Sequence, residues 1–182
     1  QWGSYRAAEH DGVRYGLKAD SFPPYLDIPK RCGESFELVF AGKESPRRLL
    51  RDHGWALREP LEMTRDPPSY EAFIRDSKAE FGIAKHGYVV SNSGWFSERS
   101  CCYLASGRPV LGQDTGFSTW LKTSEGVLPF SDPDEALAAL EDLNCHYDAH
   151  CRAAREVAFE FFDYRKVLPR LLEQCSGPTP SS

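Results

Sequence analysis

No stretch of this sequence stays apolar for long. The run Ala136–Leu140 is closed at once by Glu141 and Asp142, far short of the roughly 18 to 20 residues that cross a bilayer, so no membrane span is expected. A basic excess is missing too. With 22 Lys+Arg against 27 Asp+Glu and a formal net charge of -5, nothing is left over to neutralise a phosphate backbone, which argues against nucleic acid as a partner. Cysteine is present but lacks a metal-binding pattern: Cys32, Cys101, Cys102, Cys145, Cys151 and Cys175 contain no C-x-x-C pair. The start carries no basic-then-apolar leader, and neither Asn92 nor Asn144 opens an N-x-Ser/Thr sequon. A reducing, cytoplasmic setting without structural disulfides is therefore expected. Cys101 and Cys102 in particular would diverge by about 100° on a helix and could not easily bridge. The chain opens at Gln1 rather than Met and is expected to be a piece of something longer.

Several catalytic signatures are also lacking. The sequence has no G-x-G-x-x-G, no G-x-x-x-x-G-K-[ST] and no G-x-S-x-G, which leaves a dinucleotide fingerprint, a P-loop and a hydrolase elbow without support. His146 and His150 stand four apart, yet the glutamate of H-E-x-x-H is absent. They read as a solvated histidine face, and no metal is expected.

What is there is a regular alternation of strands and helices. Residues 1–31 are aromatic and turn-rich, with Pro23-Pro24 and scattered tyrosines, and are expected to form an irregular segment or interdomain linker lying across a surface. Phe36–Phe40 reads as a half-buried strand, and Pro46–His53 as a helix closed by Gly54. Asp66-Pro67-Pro68 opens a helix that reaches Asp76, and Phe81–Ala84 resumes as strand. Ser97 caps a helix ending at Gly107, and Val110-Leu111 is again a strand. Gly126–Phe130 precedes Asp132-Pro133-Asp134-Glu135, a capping-box signature for a helix through Leu137, Leu140 and Leu143. From Cys151 to Leu172 the chain is helical, and 176–182 reads as a disordered polar tail. Such alternation predicts an α/β fold in which residues 32–175 form a doubly wound parallel sheet with helices on both faces and a helical C-terminal segment.

Two loops attract attention. Ser91–Ser97 joins a strand to a helix N-terminus through small residues, the arrangement that holds a phosphate by free N–H groups and dipole, with Arg99 on the first turn. Gly112–Phe117 follows a strand end, and Asp114 and Thr115 are candidates to face the same crevice. The equally weighted alternative for Asp114 is an Asx-turn closed on its own backbone. Removing Arg99 is expected to weaken anion binding more than it lowers stability.

At Ser77–Phe81, Lys85–Val89, Ser93–Arg99, Tyr103–Val110, Gln113–Phe117 and Phe130–Ala136 the sequence resembles the C-terminal, donor-binding domain of GT-B glycosyltransferases, over about Phe36 to Leu172. The resemblance implies a Rossmann-like domain holding a nucleotide-sugar donor, with the acceptor bound by an N-terminal domain that this chain lacks, and with no metal or other cofactor required. It implies a donor cleft lined by Ser93, Gly94, Trp95, Phe96 and Ser97 on one side and Asp114, Thr115, Gly116 and Phe117 on the other. Arg99 and Lys85 would take the charge of the departing diphosphate. Many retaining members carry two glutamates eight apart, and this sequence has Gly94 and Cys102 there, with Glu98 one turn before Cys102 as the candidate substitute. A nucleotide- or sugar-phosphate-binding module without transfer chemistry remains the alternative, as does an interaction domain using the C-terminal helices.

Overall fold

The computed structural model describes residues 2–3 and 6–176, with Ser176 in backbone only. The tail expected over 176–182 lies outside the described residues beyond that final helical position.

Residues 6–31 are built into the fold. β1 (Ala8–His10) and β2 (Val13–Tyr15) pair antiparallel about Asp11-Gly12, whose φ angles of 49° and 75° are those a two-residue hairpin of the primed type needs. Two short helices, α1 (Lys18–Ser21) and α2 (Ile28–Cys32), flank a 3-10 turn at Pro23–Tyr25. They bury Phe22, Tyr25 and Ile28 in the same cluster as Leu111, Phe130 and Leu143. Part of the expected irregular surface segment, around Phe22 to Ile28, thus belongs to the core, while the hairpin stays largely exposed. One-turn helices carry too few residues to show a period, which is why their burial is not visible in the pattern.

β3 (Phe36–Val39), α3 (Glu44–Asp52) and β4 (Trp55–Arg58) make a parallel strand-helix-strand unit with Phe36 opposite Trp55. After α4 (Pro60–Met63), α5 (Pro67–Asp76) begins where the Asp66 carboxylate accepts the Ser69 N–H at 2.8 Å. Then come β5 (Glu80–Gly82), α6 (His86–Val90), α7 (Glu98–Ala105), β6 (Val110–Gln113) and β7 (Val127–Phe130). These strands form a parallel sheet in the order β5-β6-β7. α8 (Pro133–Cys145), α9 (Tyr147–Val157), a π turn at Ala158–Phe162 and α10 (Tyr164–Ser176) complete the described chain. Asp132 accepts the N–H groups of Asp134 and Glu135, while the Glu135 carboxylate reaches back to Ser131 rather than to the cap residue, shifting the expected box by one.

The architecture is α/β with parallel sheets. Adjacent residues of β6 and β7 point to opposite faces. Val110 and Val127 enter a cluster with Leu104, Phe117, Ala154 and Val157 beneath α7 and α9. Leu111 and Leu128 enter the cluster shared with α8 and the N-terminal segment. Apolar side chains on both faces are what a buried parallel sheet requires. The turn before β7 fits closely against α9. A Cβ at Gly126, where φ is 76°, would lie 2.4 Å from the Ala154 nitrogen. Among the described residues no helix is long and apolar enough to cross a membrane, and all six cysteines are unpaired thiols.

Candidate functional site

A cleft of about 440 Å³ runs along β5 and β6, from Glu80 and Val110 at their first residues to Ala84 and Gln113 at their carboxyl ends. Its floor has little side-chain cover, because Gly82 and Gly112 are register partners across the two strands and both line it. A ligand there meets main chain directly. The floor is braced from below by a buried polar relay. Ala84 N–H donates to Gln113 Oε1 at 3.1 Å, Gln113 Nε2 donates to the Tyr25 hydroxyl at 3.3 Å, and that hydroxyl donates to the Ser131 carbonyl at 2.8 Å. Burial, followed by the nearby Asp132 and Glu135 charges, pushes Tyr25 up to about 12, so it stays a neutral donor.

The wall is made of the two loops singled out in the sequence, and they are clasped to each other. Gly94 N–H donates to the Thr115 carbonyl at 2.7 Å, Thr115 Oγ1 donates to the Trp95 carbonyl at 2.6 Å, and Trp120 Nε1 donates to the Gly94 carbonyl at 3.0 Å. Ser97 caps α7, its Oγ accepting the Arg99 N–H at 3.3 Å. The clasp divides the candidate residues into two sets. Lys85, Trp95, Phe96, Ser97, Glu98, Arg99 and Phe117 line the cleft. Ser93, Gly94, Asp114, Thr115 and Gly116 are not among its lining residues and instead shape the loops that do line it. Asp114 is closed on its own turn, accepting the Gly116 N–H at 2.8 Å and the Ser118 hydroxyl at 2.5 Å, so the Asx-turn alternative holds. Gly116, with φ of 94°, leaves no room for a side chain beside Asn92.

Charge is concentrated in the cleft despite the acidic whole. Arg99 donates from Nε to Glu80 Oε1 at 2.6 Å, with Nη2 of the same guanidinium 2.5 Å from that oxygen. The Glu80 side chain is 5% exposed, that of Arg99 44%. Burial works against the Arg99 charge, but the Glu80 carboxylate outweighs it and holds the guanidinium above its usual range. A second cation, Lys18, comes from α1 and lines the same cleft. Burial first, then the Arg99 charge, press its ammonium from 10.5 down to about 8, although Glu80 pulls the other way. Lys85 sits 5.2 Å above the Tyr88 ring, which stacks on Trp95 with centroids 5.0 Å apart. Lys18, Lys85 and Arg99 therefore line one cleft with the carboxylates of Glu80 and Glu98, near the N-terminus of α7, an arrangement suited to an anion with more than one negative charge.

Lys18 and Glu80 have no counterpart among the sequence candidates. Lys18 belongs to the segment read as irregular. For Glu80 a signal exists: an acid inside the short apolar piece Ala79–Ala84, where an unpaired carboxylate is rarely tolerated. Arg108 serves the frame, donating to the Tyr147 hydroxyl at 2.9 Å and to the Arg75 carbonyl. Cys102 is exposed and lies outside the cleft lining, whereas Glu98 is part of it.

The histidine pair is only half solvated. His146 is exposed and His150 is buried. Together with Asp142 they bring three ligand-type atoms within 4.8 Å. His150 Nδ1 accepts the Gly126 N–H at 3.2 Å, and Nε2 lies 3.2 Å from Asp142 Oδ2. His150 thus bridges the turn before β7 and the Asp142 carboxylate of α8. Comparison with family models, with curated proteins and with solved structures found no match in any of the three.

Proposed function

We propose that this chain is the donor-binding half of a glycosyltransferase of the GT-B kind, with the doubly wound, Rossmann-like architecture of that class, and that its cleft receives the diphosphate of a nucleotide-sugar. One observation carries the reading: Lys18, Lys85 and Arg99 line one cleft that runs over a glycine floor to the carboxyl ends of two parallel strands, beside a helix N-terminus. Ligands of open α/β sheets bind at that end of the strands. As the glycosidic bond breaks, its electron pair stays with the departing diphosphate, and preorganised cations aimed there lower the barrier. The reading calls on no metal or other cofactor for that charge. Glu98, at the first turn of α7, is the acid available to the sugar side of the cleft. The acceptor is held by an N-terminal domain outside this chain. A reducing, cytoplasmic setting fits the six unpaired thiols.

Calorimetric titration with uridine, thymidine, guanosine and adenosine diphosphates tests this directly. Binding of at least one in the micromolar to millimolar range, about 4 to 8 kcal/mol, is expected. No binding of any at millimolar concentration would sink the reading. Gly94 and Cys102, standing where a retaining enzyme has its two glutamates, favour a second reading as a binding module without transfer chemistry. A chain extended by its upstream coding sequence that binds the nucleotide-sugar yet transfers nothing to any acceptor would support that second reading.

A further inference from the structure

A larger cavity, about 730 Å³, lies between β3 and β5. Its lining runs through consecutive residues, 34–40 on one side and 77–81 on the other. Since a strand face contributes only every second side chain, consecutive lining means that strand edges border the space. The two parallel sheets are not hydrogen-bonded to each other here. They meet through aromatic rings instead, Phe36 against Phe81 edge-on at 5.2 Å, with Phe73 and Tyr103 also lining the groove.

This groove and the anion cleft share a wall. Lys18, Glu80 and Arg99 line both. Glu80 Oε1 takes both Arg99 contacts, while Glu80 Oε2 is buried with no hydrogen-bond partner. A carboxyl oxygen shut away from water and unpaired is costly, and such an atom in a native fold calls for a partner. Because Glu80 lines the groove as well as the cleft, the oxygen that Arg99 leaves over stands in the wall the two spaces share.

We propose that the groove between β3 and β5 is the second half of the ligand site, taking a ring-bearing group joined to the anion in the cleft, with Glu80 Oε2 accepting an O–H or N–H of that group. This rests on the diphosphate reading of the cleft and assigns the nucleoside end of the ligand to the groove. A nucleoside supplies both needs, a flat ring for aromatic walls and hydroxyl or N–H donors for the carboxylate. Glu80→Gln keeps an oxygen for Arg99 but puts an NH₂ donor where the ligand's donor must dock. Ala72→Phe, from α5, fills the groove without touching the cleft.

The experiment compares inorganic pyrophosphate with uridine diphosphate by calorimetry on the parent and both variants. The parent is expected to prefer the nucleotide by roughly tenfold or more, the worth of one hydrogen bond to a charged acceptor, and either variant to lose most of that preference. Ala72→Phe, which lies outside the cleft, is expected to keep pyrophosphate affinity within about threefold, whereas Glu80→Gln is read only by the ratio of the two affinities, since it also changes the charge of the cleft. Equal affinity of the parent for both probes, or a preference that survives in both variants, overturns the groove while leaving the anion cleft intact. Failure of both probes to bind the parent overturns the cleft reading and this inference with it. Should Glu80→Gln not fold, Ala72→Phe alone decides.

Discussion

Arg99 cannot be removed alone without consequence for its partner. Arg99→Ala is expected from the sequence to weaken binding more than it lowers stability, but the guanidinium donates to a carboxylate that is 5% exposed. Its loss strands that charge. A decrease in stability of about 1 to 3 kcal/mol, read from urea denaturation midpoints, is expected on top of weakened diphosphate binding. Lys18 is the opposite case. Its ammonium, pressed down to about 8 by burial and by Arg99, is held in the fold against its own preference. The folded state binds that proton less tightly than the unfolded chain. The resulting penalty is present in full below about pH 8 and fades as pH rises toward 10.5. Lys18→Met should therefore raise the melting temperature at pH 7, with the gain over the parent vanishing in scans toward pH 10.5, and should weaken diphosphate binding. A variant that is less stable than the parent at pH 7 would show that Lys18 is not under strain.

At the scale of elements, the clasp between the two loops decides the shape of the cleft. Thr115→Val removes the bond to the Trp95 carbonyl from a position 1% exposed, while keeping the volume. A stability loss of about 1 to 2 kcal/mol is expected in chemical denaturation, together with weaker diphosphate binding, because the loop carrying Trp95 through Arg99 loses its tether. Much of this scale was legible beforehand. Asp66, Ser97 and Asp132 cap the helices they were expected to cap, since a cap is a local contract between one side chain and the next two or three N–H groups. What escaped depends on contacts distant in sequence. The Asp11-Gly12 hairpin carried a recognisable turn signal, but its strands are only three residues each and largely exposed, so alternation had nothing to show. Lys18 reaches the cleft because α1 docks beside α6, where His86 N–H donates to the Leu17 carbonyl at 3.3 Å. No spacing along the chain announces that contact.

For the whole molecule, the balance of charge matters more than its total. A chain with a formal net charge of -5 keeps three cations in one cleft, so anion binding works against the general field and with the local one. Diphosphate affinity should fall as sodium chloride is raised from about 0.05 to 0.5 M, since the Debye length shortens to a few ångströms over that range. An affinity indifferent to salt would mean that the cations do not carry the binding. On the donor-half reading we propose, transfer needs donor and acceptor held together, a contribution of roughly 7 to 11 kcal/mol to barrier lowering that the donor half by itself does not supply. This chain alone is expected to bind a nucleoside diphosphate and to transfer no sugar in a product assay.

The contact of Gly126 with α9 bears on which sequences this fold can accept. A side chain there would overlap the Ala154 backbone, and the Gly126 N–H already serves His150, so neither the turn nor the helix can yield locally. β7 starts at the next residue and sets Phe130 opposite Gln113, the residue that braces the cleft floor. In a saturation library scored for folded yield, position 126 should tolerate glycine alone, with alanine already depleted, while exposed neighbours such as Glu125 vary freely. A hydrogen atom in place of a methyl group thus sets the limit of mutational drift for a cleft whose own residues lie elsewhere in the chain.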